Sequence, residues 1–172
     1  MTPFPWTDLA IILALVVING VFAMSELAIV SAKTSTLEAK AEAGSTSART
    51  AIALAADPGK FLSTVQIGIT LIGIIAGAYS GASLGGPVGE RMAALGLPAQ
   101  YADETGFAVV IALTTYLSVV VGELVPKQLA LRNAVPLALI MARPMAFLSR
   151  AAAPLVWLLD TSSAAIIRLF GI

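Results

Sequence analysis

The chain has 172 residues, of which 58% are hydrophobic and 12% are charged, and its ten basic residues balance its ten acidic residues. Ordinary soluble domains carry about 25% charged residues, so this composition indicates an integral membrane protein, and the lack of a basic excess argues against nucleic acid as a partner. There is no cysteine and no histidine, which excludes disulfides, thiolate chemistry and metal sites of the zinc or copper type, so any metal must be bound by oxygen.

Three stretches are apolar and long enough to cross a bilayer, which takes about 20 residues of α-helix. They run from 9 to 30, from 61 to 80 and from 107 to 125. The fold class that this predicts is all-α integral membrane with three transmembrane helices, in contact with membrane lipid.

The connections between these spans are expected to differ in structure. Residues 34–57 predict a helix along the membrane surface that is broken near Gly44 and Ser45. Residues 81–105 are rich in glycine and proline and predict a loop with one or two helical turns. Residues 135–172 are apolar but interrupted by prolines and charged groups, and they predict a pair of interfacial or half-inserted helices.

The basic residues are distributed unevenly around the predicted spans. Four lie between the first two spans and five follow the third, and only Arg91 lies in the connection between the second and third. Because cytoplasmic segments carry the excess of Lys and Arg, the N-terminus is expected outside and the C-terminus in the cytoplasm, with the protein in the cell membrane.

A carboxylate stands near the end of the third apolar stretch, at Glu123. Ionisable groups in such segments are rare unless they face a pathway, a partner or an ion. Pro126 has no N–H and cannot bond to the carbonyl of Gly122, four residues earlier. An unpaired carbonyl beside a carboxylate would offer two oxygens to a hard cation.

The other two spans also carry polar groups. In the first span Asn19 and Glu26 share one helix face, with Ser25 beside Glu26. The second span carries a polar stripe at helical spacing, formed by Ser63, Gln66 and Thr70. Hydrogen bonding between helices is the simpler explanation for such a stripe, and ligation of a cation is the alternative.

Glycines recur every fourth residue in the second span, at Gly73, Gly77 and Gly81. Small residues at this period let helix backbones approach closely within a membrane. The series therefore predicts helix packing, with a dimer interface as one form that the packing could take.

Three motifs together resemble the transmembrane domain of the CorC/CNNM family. They are Ala23-Met-Ser-Glu-Leu-Ala28, Leu62-Ser-Thr-Val-Gln-Ile-Gly-Ile-Thr-Leu-Ile-Gly73 and Gly122-Glu-Leu-Val-Pro-Lys127. The resemblance covers essentially the whole chain. It implies three transmembrane helices with juxtamembrane helices, a homodimer, and export of Mg²⁺ driven by Na⁺ entry.

By position, the resemblance implies a metal site formed by Ser25, Ser63, Gly122 and Glu123. Many members carry two asparagines in the second span where this chain has Ile69 and Gly73. Thr70, backbone carbonyls or water would then complete the coordination. Full-length members also carry cytoplasmic CBS modules, which this sequence does not contain.

Two functions remain open at this point. The first is a membrane transporter that exports Mg²⁺ through an oxygen-lined site between three helices, with Na⁺ as the coupling ion. The second is a non-transporting dimeric scaffold or divalent-ion sensor. Enzymatic activity is not expected, because there is no histidine, no Gly-x-Ser-x-Gly elbow and no P-loop in the sequence.

Overall fold

The computed structural model describes residues 2–172, which are helical over nearly their whole length. The elements in chain order are α1 (Trp6–Ser31), α2 (Thr34–Glu42), α3 (Thr46–Ala56), α4 (Pro58–Ala94), α5 (Ala99–Val119), a π-helix (Val120–Leu124), α6 (Val125–Arg132), α7 (Ala134–Ala151) and α8 (Ala153–Leu169). The three predicted spans fall within α1, α4 and α5 with its π-helical extension.

Within residues 2–172, four helical stretches are long and apolar enough to cross a membrane. They are α1, α4, the run Ala99–Arg132 and α7. The prediction of several membrane-spanning helices is confirmed in this sense, but the count of three is not. The fourth candidate, α7, comes from the segment for which the sequence predicts an interfacial helix.

The predicted loop over 81–105 is wrong. Helix α4 continues to Ala94 and α5 begins at Ala99, so the turn is confined to the residues around Gly96, whose φ is +115°. Gly85 and Gly89 serve helix packing instead. A Cβ on Gly106 would lie 2.3 Å from the carbonyl oxygen of Gly85 and 2.5 Å from the backbone nitrogen of Gly89. The backbones of α4 and α5 can approach this closely only because all three residues lack side chains.

The predicted glycine series divides into two kinds of position. At Gly81 a Cβ would lie 2.5 Å from the ring of Phe107 on α5, whereas Gly73 and Gly77 have no such neighbour within 4 Å. The close contact between α4 and α5 therefore involves Gly81, Gly85 and Gly89 but not Gly73 or Gly77. The role of Gly73 and Gly77 at a dimer interface stays a prediction.

The chain divides into two compact units, each of which is described by itself. The first contains the chain up to Ala23 and Gly68–Gln128, and the second contains Met24–Ile67 and Leu129–Ile172. The core of the first unit is formed by buried apolar residues of α1, α4 and α5: Ile12, Leu84 and Val110. The hydroxyl of Tyr79 on α4 donates a hydrogen bond to the carboxylate of Asp8, near the start of α1. This bond links the two helices.

In the second unit α2 and α3 are separated as the sequence predicts. Gly44 ends the first of them with φ +102°, a left-handed conformation that favours glycine. The Ser45 hydroxyl accepts a hydrogen bond of 3.1 Å from the N–H of Ala48 and so caps α3. Helix α3 then packs against α7, with small buried residues such as Ala51 and Ala142 on the two helices.

Candidate cation site at the π-helix

The π-helix at Val120–Leu124 interrupts the third apolar run next to Pro126. The N–H of Val125 donates to the carbonyl of Val120, five residues earlier, so Val121 loses the donor that an α-helix would supply. Pro126 has no N–H to give to Gly122. Two consecutive carbonyls are thereby deprived of their α-helical donors, and such widened turns occur frequently at functional sites.

Asn19 on α1 supplies one of the missing donors. Its Nδ2 donates a hydrogen bond of 3.0 Å to the carbonyl oxygen of Gly122, across 103 residues of sequence. The expectation that the Gly122 carbonyl is unpaired is therefore wrong. Pro126 does remove the donor within the helix, but the side chain of Asn19 replaces it. A carbonyl oxygen has two lone pairs, so Gly122 retains one acceptor position.

Gly20 allows α1 to lie directly against this segment. A Cβ at this position would be 2.9 Å from Cγ of Pro126 and 3.1 Å from the carbonyl oxygen of Val121. Any larger residue would push α1 away and lengthen the bond between Asn19 and Gly122. Helix α1 is continuous through Asn19 and Gly20, and these two residues form its contact with the π-helix and Pro126.

The other polar atom of Asn19 has no partner. The side chain is 5% exposed, and its Oδ1 is buried without a hydrogen bond to any residue in the described part of the chain. An unsatisfied buried acceptor costs roughly 1–3 kcal/mol, so an ion or water that bound this oxygen would stabilise the folded domain. Amide oxygens are among the ligands that hard cations take.

Glu123 adds a negative charge to the same turn. It follows Gly122 directly in the π-helix and is half-buried. The turn therefore presents a carboxylate beside a carbonyl that is already held by Asn19. The π-helix and the side chain of Asn19 that binds it thus carry carbonyl, carboxylate and amide oxygens between them, and these are the types of ligand that Mg²⁺ takes.

The family of the chain follows from its match to a family model. The model described as the cyclin M (CNNM) transmembrane N-terminal domain matches residues 10–172. The chain belongs to the CNNM transmembrane domain family. With its long apolar helices, this makes it a multi-pass membrane protein, and the resemblance drawn from the three motifs is confirmed.

Bacterial relatives are similar to this CNNM domain over nearly its whole length. A UPF0053 protein of Synechocystis is 46% identical over 165 residues, which cover 96% of this chain and 37% of that protein. The UPF0053 protein YhdT of Bacillus subtilis is 34% identical, with 96% and 36% covered. The polyamine export protein of Salmonella typhimurium is 27% identical, with 94% and 36% covered. The chain thus spans little more than a third of the length of these relatives.

The five ligands predicted from the sequence fall in both units of the CNNM domain. Gly122 and Glu123 are neighbours in the π-helix, and Thr70 is an exposed residue of α4 in the same unit. Ser25, which is fully buried, and Ser63, which is half-buried, belong to the second unit. Their roles as ligands stay predictions. No group of three or more Asp or Glu side chains that could share a metal occurs within residues 2–172.

Asn19 of this CNNM domain is not among the ligands that the sequence predicts. The signal was present, because Asn19 is the one amide side chain within the apolar α1. The pattern did not show that Asn19 meets Gly122, since the two lie on different helices. Only the folded structure shows that Asn19 is buried, that it donates to the π-helix and that its Oδ1 has no hydrogen-bond partner in the described residues.

Proposed function

We propose that this domain exports Mg²⁺ from the cytoplasm and that Na⁺ entry drives the export. The observation that carries the proposal is the buried Oδ1 of Asn19, which has no donor and lies on the side chain that binds the π-helix. Glu123 on the same π-helix supplies the charge. Membership of the CNNM family supports a membrane function for the domain.

The chemistry of the site suits a partly hydrated Mg²⁺. This ion prefers six oxygen ligands and gives up water reluctantly, so it commonly keeps several waters beside one or two carboxylates. One carboxylate, Glu123, neutralises half of its charge. Asn19 Oδ1 and the remaining lone pair of Gly122 would replace further waters. Na⁺ carries a single charge, which Glu123 alone can balance, so the two ions can compete for one site.

The proposed direction of transport rests on the distribution of charge. Nine of the ten basic residues lie in the segments assigned to the cytoplasmic side, and Arg91 lies in the outer connection. The end of the third span, with Glu123, is then nearer the cytoplasm than the outside. An ion entering from the cytoplasm would meet this carboxylate early.

A second candidate cargo comes from one relative. The Salmonella protein that covers 94% of this chain is named a polyamine export protein. A polyamine is also a multivalent cation, and carboxylate and carbonyl oxygens could accept hydrogen bonds from its ammonium groups. The other alternative is a dimeric scaffold or ion sensor that moves no cation.

Release of cations from proteoliposomes distinguishes these functions. Purified protein is reconstituted into vesicles that contain either Mg²⁺ with a Mg²⁺ indicator or labelled spermidine, and Na⁺ or K⁺ is added outside. We expect Mg²⁺ release that depends on the protein and is several times faster with Na⁺ than with K⁺. Release of labelled spermidine, with none of Mg²⁺, would assign the polyamine instead, and release of neither would support the scaffold or sensor.

A further inference from the structure

A cavity with basic side chains in its lining lies within the second unit. It has a volume of about 350 Å³ and is lined by side chains of α3, the start of α4 and the end of α7. Three of the lining residues are basic: Arg49, Lys60 and Arg150. Pockets of this size hold small ligands or the head of a larger one, and three cations around one cavity favour an anion.

The cations of this cavity are not neutralised by the chain. Within residues 2–172 the structure has no ion pair of 4.0 Å or less to any of the three. Arg49 donates one long hydrogen bond of 3.4 Å to the carbonyl of Ala41, which leaves most of its guanidinium donors available. The three side chains therefore retain charge and donors for a ligand.

A buried hydroxyl lies among these charges. Ser149 lines the cavity and is 6% exposed, and in the described part of the chain its hydroxyl has no hydrogen-bond partner. By contrast, the hydroxyl of Thr50, also in the lining, donates to the carbonyl of Thr46. Ser149 thus adds an unused donor to the three cations, which is a set that matches the oxygens of a phosphate.

The position of the cavity indicates where the phosphate comes from. Lys60 is the third residue of α4 and Arg150 lies in the last turn of α7, and both helices are apolar enough to enter a membrane. The cavity therefore lies at the ends of two apolar helices, where a bilayer that these helices cross would place its headgroups. Leu54 adds an apolar wall beside the charges. We propose that this cavity binds the phosphate of an anionic phospholipid headgroup.

Native mass spectrometry of the detergent-solubilised protein tests this proposal. The probes are phosphatidylglycerol, phosphatidylcholine and inorganic phosphate, and the readout is the fraction of protein that retains each one. The test variant is R49Q/R150Q, which changes two exposed side chains. The matched control is K40Q/R132Q, which removes the same amount of charge from exposed residues outside the cavity lining.

We expect wild type and control to retain phosphatidylglycerol in preference to phosphatidylcholine, and the test variant to bind it roughly 10- to 30-fold more weakly. Equal retention of the two lipids by the wild type would overturn the proposal. So would equal losses in both double variants, since the effect would then be one of net charge. Retention of inorganic phosphate without any preference for phosphatidylglycerol would overturn the lipid as its source.

Discussion

Replacing Asn19 by leucine is expected to abolish Mg²⁺ transport and to destabilise the domain. Leucine has a similar volume but removes both polar atoms of the side chain. The carbonyl of Gly122 loses the donor that now lies 3.0 Å away, and Pro126 cannot replace it. An unsatisfied buried carbonyl costs about 1–3 kcal/mol in the free energy of unfolding. The proposed ion loses its amide ligand at the same time.

Two measurements separate the ligand role of Asn19 from its structural role. Flux in proteoliposomes reports transport, and the Mg²⁺-dependent rise in the thermal midpoint reports binding, because a ligand of the folded state stabilises it. We expect the wild type to be stabilised by Mg²⁺ and Asn19→Leu to show no such rise. The matched control is Asn133→Leu, at an exposed position whose side chain makes no capping bond. A variant that melts lower yet keeps its response to Mg²⁺ would limit Asn19 to a structural role.

Replacing Glu123 by glutamine is expected to reduce Mg²⁺ flux at least tenfold while the domain stays folded. Glutamine keeps the shape and an oxygen but removes the charge that balances the cation. A tenfold effect corresponds to about 1.4 kcal/mol, which is modest for the loss of a charged ligand. Stability is not expected to fall, since a carboxylate at the end of an apolar helix is itself unfavourable.

The control for Glu123 is Glu104→Gln, which makes the same chemical change at an exposed position of α5. Its flux is expected to equal that of the wild type. If Glu123→Gln transports as fast as Glu104→Gln, the carboxylate of Glu123 takes no part in transport. If it unfolds instead, Glu123 stabilises the domain through a contact, as the scaffold function would require.

The sequence predicted local features of the fold better than its packing. The break between α2 and α3 followed from Gly44, whose positive φ is a property of the residue itself. The glycines between 81 and 106 were read as a loop, because glycine and proline usually mark turns. Three of them, Gly85, Gly89 and Gly106, instead form a contact between the backbones of α4 and α5, and such a contact depends on the neighbouring helix.

The candidate cation site was predicted only in part, because its local features are visible in the sequence and its contacts between helices are not. Pro126 showed that the Gly122 carbonyl lacks the usual helical donor four residues later. Its actual donor, Asn19, is 103 residues away in sequence, and no periodicity in one sequence pairs the two. The basic cavity could not be predicted from the sequence either. Its residues Arg49, Lys60 and Arg150 come from three helices, and they form one site only because α3 packs against α7.

The most direct test of the cation site is X-ray diffraction from crystals of the domain grown with Mn²⁺, which can substitute for Mg²⁺ at oxygen ligands. We expect an anomalous peak within about 2.5 Å of Asn19 Oδ1, on the side that faces the π-helix with Glu123. A peak at another place in the protein, with the Asn19 oxygen bound to an ordinary hydrogen-bond donor, would contradict a cation site at Asn19.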